Sequence, residues 1–274
     1  MTQVGPARVL PGFPTGLGYT ILYLTAIVLV PLSACVFKAF SLSWEEFAAA
    51  VWTPRARAAY ALSLGTSLVA AGVSVPLGTL IAWVLVRYEF FGKRLLDALV
   101  DLPLALPTAV AGLVYSSLYA KNGWLGRYLA PLGIQAAYSR LAIVLVLVFL
   151  GIPFVVRTVQ SVLADLDAEW EEAAASLGAS WWQTIAWVIV PSILPALITG
   201  FALAFARGLG EYGSVVFVSG NLPFRTEIAP VLIVAALESF HYAEAAAMGT
   251  VLLAASLGML LLINRLERWS SHHD

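Results

Sequence analysis

Six long apolar windows constrain this chain more than any other feature of its sequence. An α-helix needs roughly 20 apolar residues to cross the hydrocarbon core of a bilayer. The windows that qualify are Leu17–Phe37, Ala61–Val86, Leu102–Tyr119, Leu141–Val162, Ile193–Val218 and Ala245–Ile263. They are too long and too continuous for barrel strands, and backbone groups within lipid must be satisfied internally. The sequence therefore predicts an all-α integral membrane protein with about six transmembrane helices.

A weaker apolar run, Ile228–Leu237, lies between the last two windows. About ten residues are too few to cross a bilayer, so this run is predicted to be re-entrant or a packed loop. A different division of residues 193–237 would give seven crossings, and the choice between six and seven stays open at this point.

Composition excludes several classes of protein. Of the 274 residues, 61% are hydrophobic and 11% are charged, against about 45–50% and ~25% in soluble domains. A soluble enzyme and a nucleic-acid-binding domain are therefore excluded, and the net charge of −1 offers no basic excess for a polyanion. With one cysteine and three histidines, we expect no intrachain disulfide, no metal site and no cofactor.

An even number of crossings places both termini on one side, and basic residues in the loops should identify that side. With the termini inside, the inner Lys and Arg residues are Arg8, Arg87, Lys93, Arg94, Arg157, Arg265 and Arg268. The outer ones are Lys38, Arg55, Arg57, Lys121, Arg127, Arg140 and Arg225. The two sets are equal in size, so the positive-inside rule gives no orientation.

The segment Asp165–Pro191, between the fourth and fifth windows, has the local pattern of two short helices. Acidic residues fill the first turns of the first helix, and Gly178 supplies a left-handed stop. Ser180 and Gln183 form a capping box for the second helix, which is predicted to end at Pro191. The segment is either a solvated connector or a docking element in which Glu172 offers its carboxylate to a partner.

The spacing within this segment resembles a known motif. Glu172–Ala174, three residues, Gly178, nine residues and Val188–Pro191 resemble the EAA loop of ABC importer permeases, whose pattern is E-A-A-x3-G-x9-I-x-L-P. Two valines replace the Ile and Leu of the pattern. The resemblance implies a type I ABC importer permease bundle, with a coupling helix that fits a groove in a cytoplasmic ATPase. It assigns ATPase coupling to Glu172, Ala173, Ala174, Gly178 and Pro191.

Further stretches are similar to the sulfate and molybdate permease group, and to its T-type sulfate/thiosulfate subunits in particular. These stretches are Pro103–Gly112, Leu203–Ser214, Ser219–Asn221 and Glu227–Glu238. The resemblance implies import of sulfate and thiosulfate by alternating access, with a molybdate/tungstate permease as the alternative. It also implies a bacterial inner-membrane protein with several crossings and both termini in the cytoplasm.

The same resemblance implies a set of partners. They are a second permease subunit (a heterodimer, with a homodimer as the alternative), a cytoplasmic ABC ATPase dimer, a periplasmic or tethered sulfate/thiosulfate-binding protein and the lipid bilayer. Nucleic acid is not among them. The implied division of the chain is residues 1–58 with the first crossing, 59–264 as the permease domain and 265–274 as a cytoplasmic tail.

Two regions at membrane depth are candidates for the translocation pathway or its gate. Arg207 and Glu211 are four residues apart, share a helix face and can pair, because a lone charge in the bilayer is costly. They form either a neutral pair inside the bundle or part of the pathway. Prolines should kink or break the start of the third window, which exposes backbone groups there. The candidates are Pro107, Thr108, Arg207, Glu211 and Gly213.

Two other classes of membrane protein compete with a permease. An ion-coupled secondary transporter would require several intramembrane carboxylates or histidines, and a membrane enzyme would require clustered catalytic groups. The chain contains no GxxxxGK[ST] phosphate loop, so we expect it not to be an enzyme and ATP to be hydrolysed by a separate subunit.

Overall fold

The computed structural model describes residues 13–167 and 169–270, and no strand occurs within these ranges. The first twelve residues of the predicted N-terminal segment and the last four of the predicted tail lie outside them. The helices are α1 Phe13–Ala39, α2 Trp44–Val51, α3 Pro54–Arg87, α4 Lys93–Val100, α5 Leu102–Ala105, α6 Thr108–Tyr119, α7 Gly126–Leu129, α8 Arg140–Asp165, α9 Glu169–Ser176, α10 Trp181–Leu209, α11 Val215–Val218, α12 Ala229–Glu238 and α13 Tyr242–Ser270.

Five of the described helices are long and apolar enough to cross a membrane, namely α1, α3, α8, α10 and α13. They correspond to five of the six predicted windows. The remaining window, Leu102–Tyr119, is divided between α5 and α6, with extended backbone at Leu106 and Pro107. The prediction that proline breaks the start of this crossing is confirmed. The longer piece, α6, has 12 residues and measures about 18 Å.

The broken segment nevertheless crosses the bundle, because α3 and α8 are parallel. Near their first residues both contact one loop: Arg55 of α3 binds Glu227, and Arg140 of α8 donates to the Arg225 carbonyl. Beside their last residues, Arg87 donates to the Leu166 carbonyl. Residues 88–139 must therefore return across the bundle, which gives six crossings. We refer to the two sides of the bundle as the Arg55 end and the Arg87 end.

The weaker apolar run forms α12, whose ten residues span only about 15 Å. Its first turn is buried, and the Ala229 amide donates to Ser63 Oγ of α3 at 2.8 Å. The expectation of a packed, non-crossing segment is confirmed, and the count of seven crossings is excluded.

Two predicted helix ends are wrong. Pro191 does not end a helix, because α10 continues through it after a widened π-helical turn at Ile185–Ile189. A π turn relaxes the contact between the proline ring and the preceding turn. The fifth crossing ends at Leu209 instead of Val218, because glycines follow it and the Glu211 carboxylate accepts from the Ser214 amide.

Small residues let the three central helices approach closely. A Cβ added at Gly78 of α3 would lie 2.8 Å from the Val155 side chain of α8. A Cβ at Gly200 of α10 would lie 3.1 Å from the Val155 backbone. In a bilayer, where helices gain no hydrophobic energy by association, such close packing is a main source of cohesion. The three helices form the frame that positions the candidate site.

Candidate coupling segment and pathway site

The segment that follows α8 folds as the sequence predicts up to Gly178. That residue has φ +85°, and the amides of Gly178 and Ala179 donate to the Ala175 and Ala174 carbonyls, which is a left-handed helix stop. Gln183 Oε1 accepts from the Ser180 amide at 2.7 Å, as the capping-box prediction requires. The chain thus turns sharply between α9 and α10.

Most side chains of this turn are exposed. Glu172 and Ala173 are exposed, Ala174 is buried, and Leu177 is 89% exposed. Pro191 is exposed as well, but it lies within α10 and not in the turn. The structure therefore brings four of the five predicted coupling residues together and leaves the fifth further along the crossing helix.

An ion pair that the sequence pattern does not indicate ties the coupling segment to the second crossing. Arg87 Nη2 lies 2.7 Å from Glu171 Oε1, although the angles are not those of a hydrogen bond. The Arg87 guanidinium also lies 5.7 Å from the ring centre of Trp83. The last residue of α3 therefore contacts the loop before α9 at Leu166 and the first turns of α9 at Glu171, and Glu172 forms no ion pair with any residue that the structure describes.

The predicted intramembrane charges form a closed network. Arg207 Nη1 donates to Glu211 Oε2, and Glu211 Oε1 accepts from the Ser214 amide and hydroxyl at 2.8 and 2.9 Å. Only 2% of Glu211 is exposed, whereas 32% of the Arg207 side chain is. The carboxylate is fully satisfied within the chain, and part of the guanidinium still faces outward.

The start of α6 packs directly against this network. A Cβ added at Gly213 would lie 2.2 Å from Thr108 Oγ1, and one added at Gly112 would lie 2.3 Å from the Ser214 carbonyl oxygen. Pro107 precedes this contact with its extended backbone. The structure thus brings all five predicted pathway residues to one place, where the broken crossing meets the end of α10.

A second charged network joins the broken crossing to α8. Arg157 uses all five of its N–H donors, on the Asp97 and Asp101 carboxylates, the Asp97 carbonyl and Gln160 Oε1. The hydrogen bonds from Arg157 lower the pKa of Asp101 below its ordinary value. The partners are 56 and 60 residues apart in sequence, so no local pattern could identify the network.

At the Arg55 end, a loop anchored to α3 by an ion pair leads into α12. Arg55 binds Glu227 through two 2.7 Å hydrogen bonds, and Glu227 is 4% exposed. The loop holds Asn221 and Phe224 at φ +50° and +62°, a conformation that costs most residues about 1–2 kcal/mol. Leu222 and Phe224 are nevertheless exposed. Glu227, the buried partner of the half-exposed Arg55, fixes the end of this loop to α3.

No group of three or more potential metal ligands occurs among the residues that the structure describes.

Together these features define a class. Six crossings carry an exposed turn at one end and a charged network within the bundle. The chain is similar in fold to a solved bacterial alginate ABC transporter in complex with its pentasaccharide-bound periplasmic protein. The TM-score is 0.73 at 18% identity, with 93% of each chain covered. With the family and the relatives given next, the protein is a permease subunit of an ABC importer.

The chain belongs to the family described as binding-protein-dependent transport system inner membrane component, which matches residues 74–272. It is 50% identical over 248 residues to the probable sulfate transport system permease protein cysT of Nephroselmis olivacea, covering 90% of this chain and 87% of that one. It is 46% identical over 267 residues to the sulfate transport system permease protein CysT of Escherichia coli K12, covering 97% and 96%. The protein is therefore a multi-pass inner-membrane protein.

Proposed function

We propose that this permease carries sulfate, and thiosulfate with it, inward across the membrane. The observation that carries the proposal is the 46–50% identity, over at least 90% of the chain, to permeases named for sulfate transport. Sulfate and thiosulfate are tetrahedral dianions, so one set of donors serves both. ATP is hydrolysed by a separate ATPase dimer, and the permease contributes the path and the gate.

The Arg87 end faces the cytoplasm in this proposal, and both termini lie there. The exposed turn formed by Glu172, Leu177 and Gly178 fits into the ATPase. Arg87 then passes movement of the turn to the second crossing, because it contacts both Leu166 and Glu171. Nucleotide-driven movement at this turn shifts the bundle between inward-open and outward-open states.

Arg207 indicates where the path runs. Gly208 packs near Leu147 of α8, seven residues from the start of that helix and hence about 10 Å inside it. A charge exposed to lipid at that depth costs about 2.5–3.5 kcal/mol on insertion scales. The Arg207 face therefore meets water or a second permease subunit. One arginine already paired with Glu211 binds a dianion weakly, which suits passage and not capture.

In this proposal a soluble binding protein captures the sulfate ion and docks at the Arg55 end. The loop there presents Leu222 and Phe224 beside Arg225, an apolar centre next to a basic group, as interaction hot spots are built. We expect Phe224→Ala to weaken binding-protein-stimulated ATPase activity at least tenfold while basal activity persists. The matched control is Phe240→Ala, which removes another exposed phenylalanine with positive φ. Equal loss in both variants would contradict this assignment.

Uptake of radiolabelled sulfate into vesicles that hold the reconstituted complex tests the proposal. We expect uptake that requires ATP and is blocked by excess thiosulfate but not by molybdate. ATP-dependent uptake of molybdate alone would preserve the coupling mechanism and reject sulfate. Uptake that follows a proton gradient and ignores ATP would reject the coupling of this turn to an ATPase.

A further inference from the structure

Helix α4 has an unusual orientation. Its carboxylate side faces the bundle: Asp97, with Asp101 just beyond the helix, binds Arg157 of α8. Leu95, Leu96 and Leu99 of the helix are exposed. A short helix in contact with water would show the reverse arrangement, so the outward side of α4 requires an apolar medium.

The outward residues form one continuous apolar stripe. Phe91 is fully exposed, and Leu95, Leu99 and Leu102 are 66%, 49% and 42% exposed. Leu95 and Leu99 are four residues apart and share one side of α4, Phe91 lies just before the helix, and Leu102 begins the next one.

The stripe lies at the border of the hydrocarbon core. Arg157, which holds α4, follows Leu141 by 16 residues of a continuous helix, or about 24 Å. The hydrocarbon core is about 30 Å thick. If Leu141 marks one border, α4 lies within a few ångströms of the other, at the Arg87 end. An amphipathic helix at this depth lies in the plane of the interface.

Basic groups stand next to the stripe. A cavity of about 570 Å³ opens at the start of α4 and is lined by Leu85, Glu89, Phe90, Phe91, Gly92, Lys93, Arg94, Asp97 and Gln160. Its two carboxylates are matched, Glu89 by Lys93 and Asp97 by Arg157. Arg94 lines the same cavity, is exposed, and forms no ion pair within the described part of the chain. The lining thus holds two acidic and two basic side chains, and Arg94 is the basic one without an ion pair there.

We propose that this cavity binds the headgroup of an anionic phospholipid of the Arg87-end leaflet, with the acyl chains lying along Phe91, Leu95 and Leu99. The charge of Arg94 matches the headgroup phosphate, and the stripe matches the acyl chains. The bound lipid anchors α4, and through it the broken third crossing that leads to Thr108. The proposal does not depend on the transported ion.

Nanodiscs test the proposal with the intact permease complex. We expect phosphatidylglycerol, added to phosphatidylcholine, to raise the thermal stability of the wild type and to remain bound in native mass spectra. Arg94→Gln should weaken phosphatidylglycerol binding about fivefold, the effect of one basic residue at a membrane surface. Arg57→Gln, which removes an exposed arginine at the opposite end, should not change it. Equal binding by wild type and Arg94→Gln overturns the headgroup site.

A spin label tests the stripe independently. Leu95→Cys is labelled in a Cys35→Ser background, since Cys35 is the single native cysteine. We expect the label to be accessible to oxygen and shielded from a water-soluble nickel complex. A label accessible to nickel would place the stripe in water and overturn the proposal. A label shielded from both reagents would show that a protein partner covers the stripe, and this would overturn it as well.

Discussion

Gly112→Ala probes the contact between the broken third crossing and the charged network. The new Cβ would lie 2.3, 2.8 and 2.9 Å from the carbonyl oxygen, Cα and carbonyl carbon of Ser214. All three are backbone atoms, so no side chain can turn aside, and α6 or the loop must move by about 1 Å to restore ordinary contact. Overpacking of this kind costs about 1–3 kcal/mol.

Thermal unfolding of the purified permease measures this cost. For a chain of 150–250 residues, 1 kcal/mol shifts the melting temperature by about 2–4 °C, so we expect Gly112→Ala to melt several degrees below the wild type. The matched control is Gly72→Ala in α3, where an added Cβ meets nothing within 4 Å. Alanine is the better helix former by up to about 1 kcal/mol, so the control should melt at or slightly above the wild-type temperature.

The uptake assay adds a second measurement on the same variants. If α6 moves away from Gly213 and Ser214, sulfate uptake should fall in Gly112→Ala and stay normal in Gly72→Ala. Equal melting temperatures and equal uptake in all three proteins would refute the close contact between α6 and the loop after α10.

Three further predictions concern the charged groups and the coupling turn. Glu211→Gln removes the counter-charge of Arg207. Because an unpaired charge at membrane depth is costly, the yield of folded protein should drop. Recovery of yield by additional Arg207→Met would confirm that the stranded charge is the cause, and an unchanged yield in the single variant would show that the pair is dispensable. Gly178→Arg places a side chain at φ +85° on the exposed turn; membrane insertion should persist while ATP-driven uptake is lost, and normal uptake would contradict the coupling role. Arg157 lowers the pKa of Asp101 in the folded protein. The stability that this pair contributes is therefore present above the unfolded pKa of about 4 and is lost as pH falls through the lower folded pKa. The difference in melting temperature between wild type and Arg157→Gln should narrow below about pH 4, and a constant difference down to pH 3 would contradict the role of this pair.

Hydropathy predicted the crossings well because it is a local property of the chain. The predicted window Leu141–Val162 and the observed Arg140–Asp165 differ by no more than three residues at either end. The prolines of the third window also acted locally and broke the helix as expected. Gly178 was predictable for the same reason, since a left-handed stop is specified by one residue.

Features that depend on distant residues were not predictable. Arg55 and Glu227 are 172 residues apart, and the sequence contains no signal that pairs them. Pro191 was misread because a helix can accommodate proline by widening the preceding turn, and that choice depends on packing rather than on the local sequence. The pathway candidates were predicted as two separate regions, and only the fold brings Thr108 against Gly213.

The continuity of α10 has a mechanical consequence. A single hydrogen-bonded helix runs from Trp181, beside the exposed turn, to Arg207 and then directly into the loop that holds Glu211. The 26 residues from Trp181 to Arg207 span about 39 Å. In the proposed function the Trp181 end lies at the ATPase, and a tilt of about 10° there would move the guanidinium through about 7 Å, roughly the width of an ion path. The backbone that receives the movement would then also carry the Arg207 charge, in addition to the contact of Arg87 with the coupling turn.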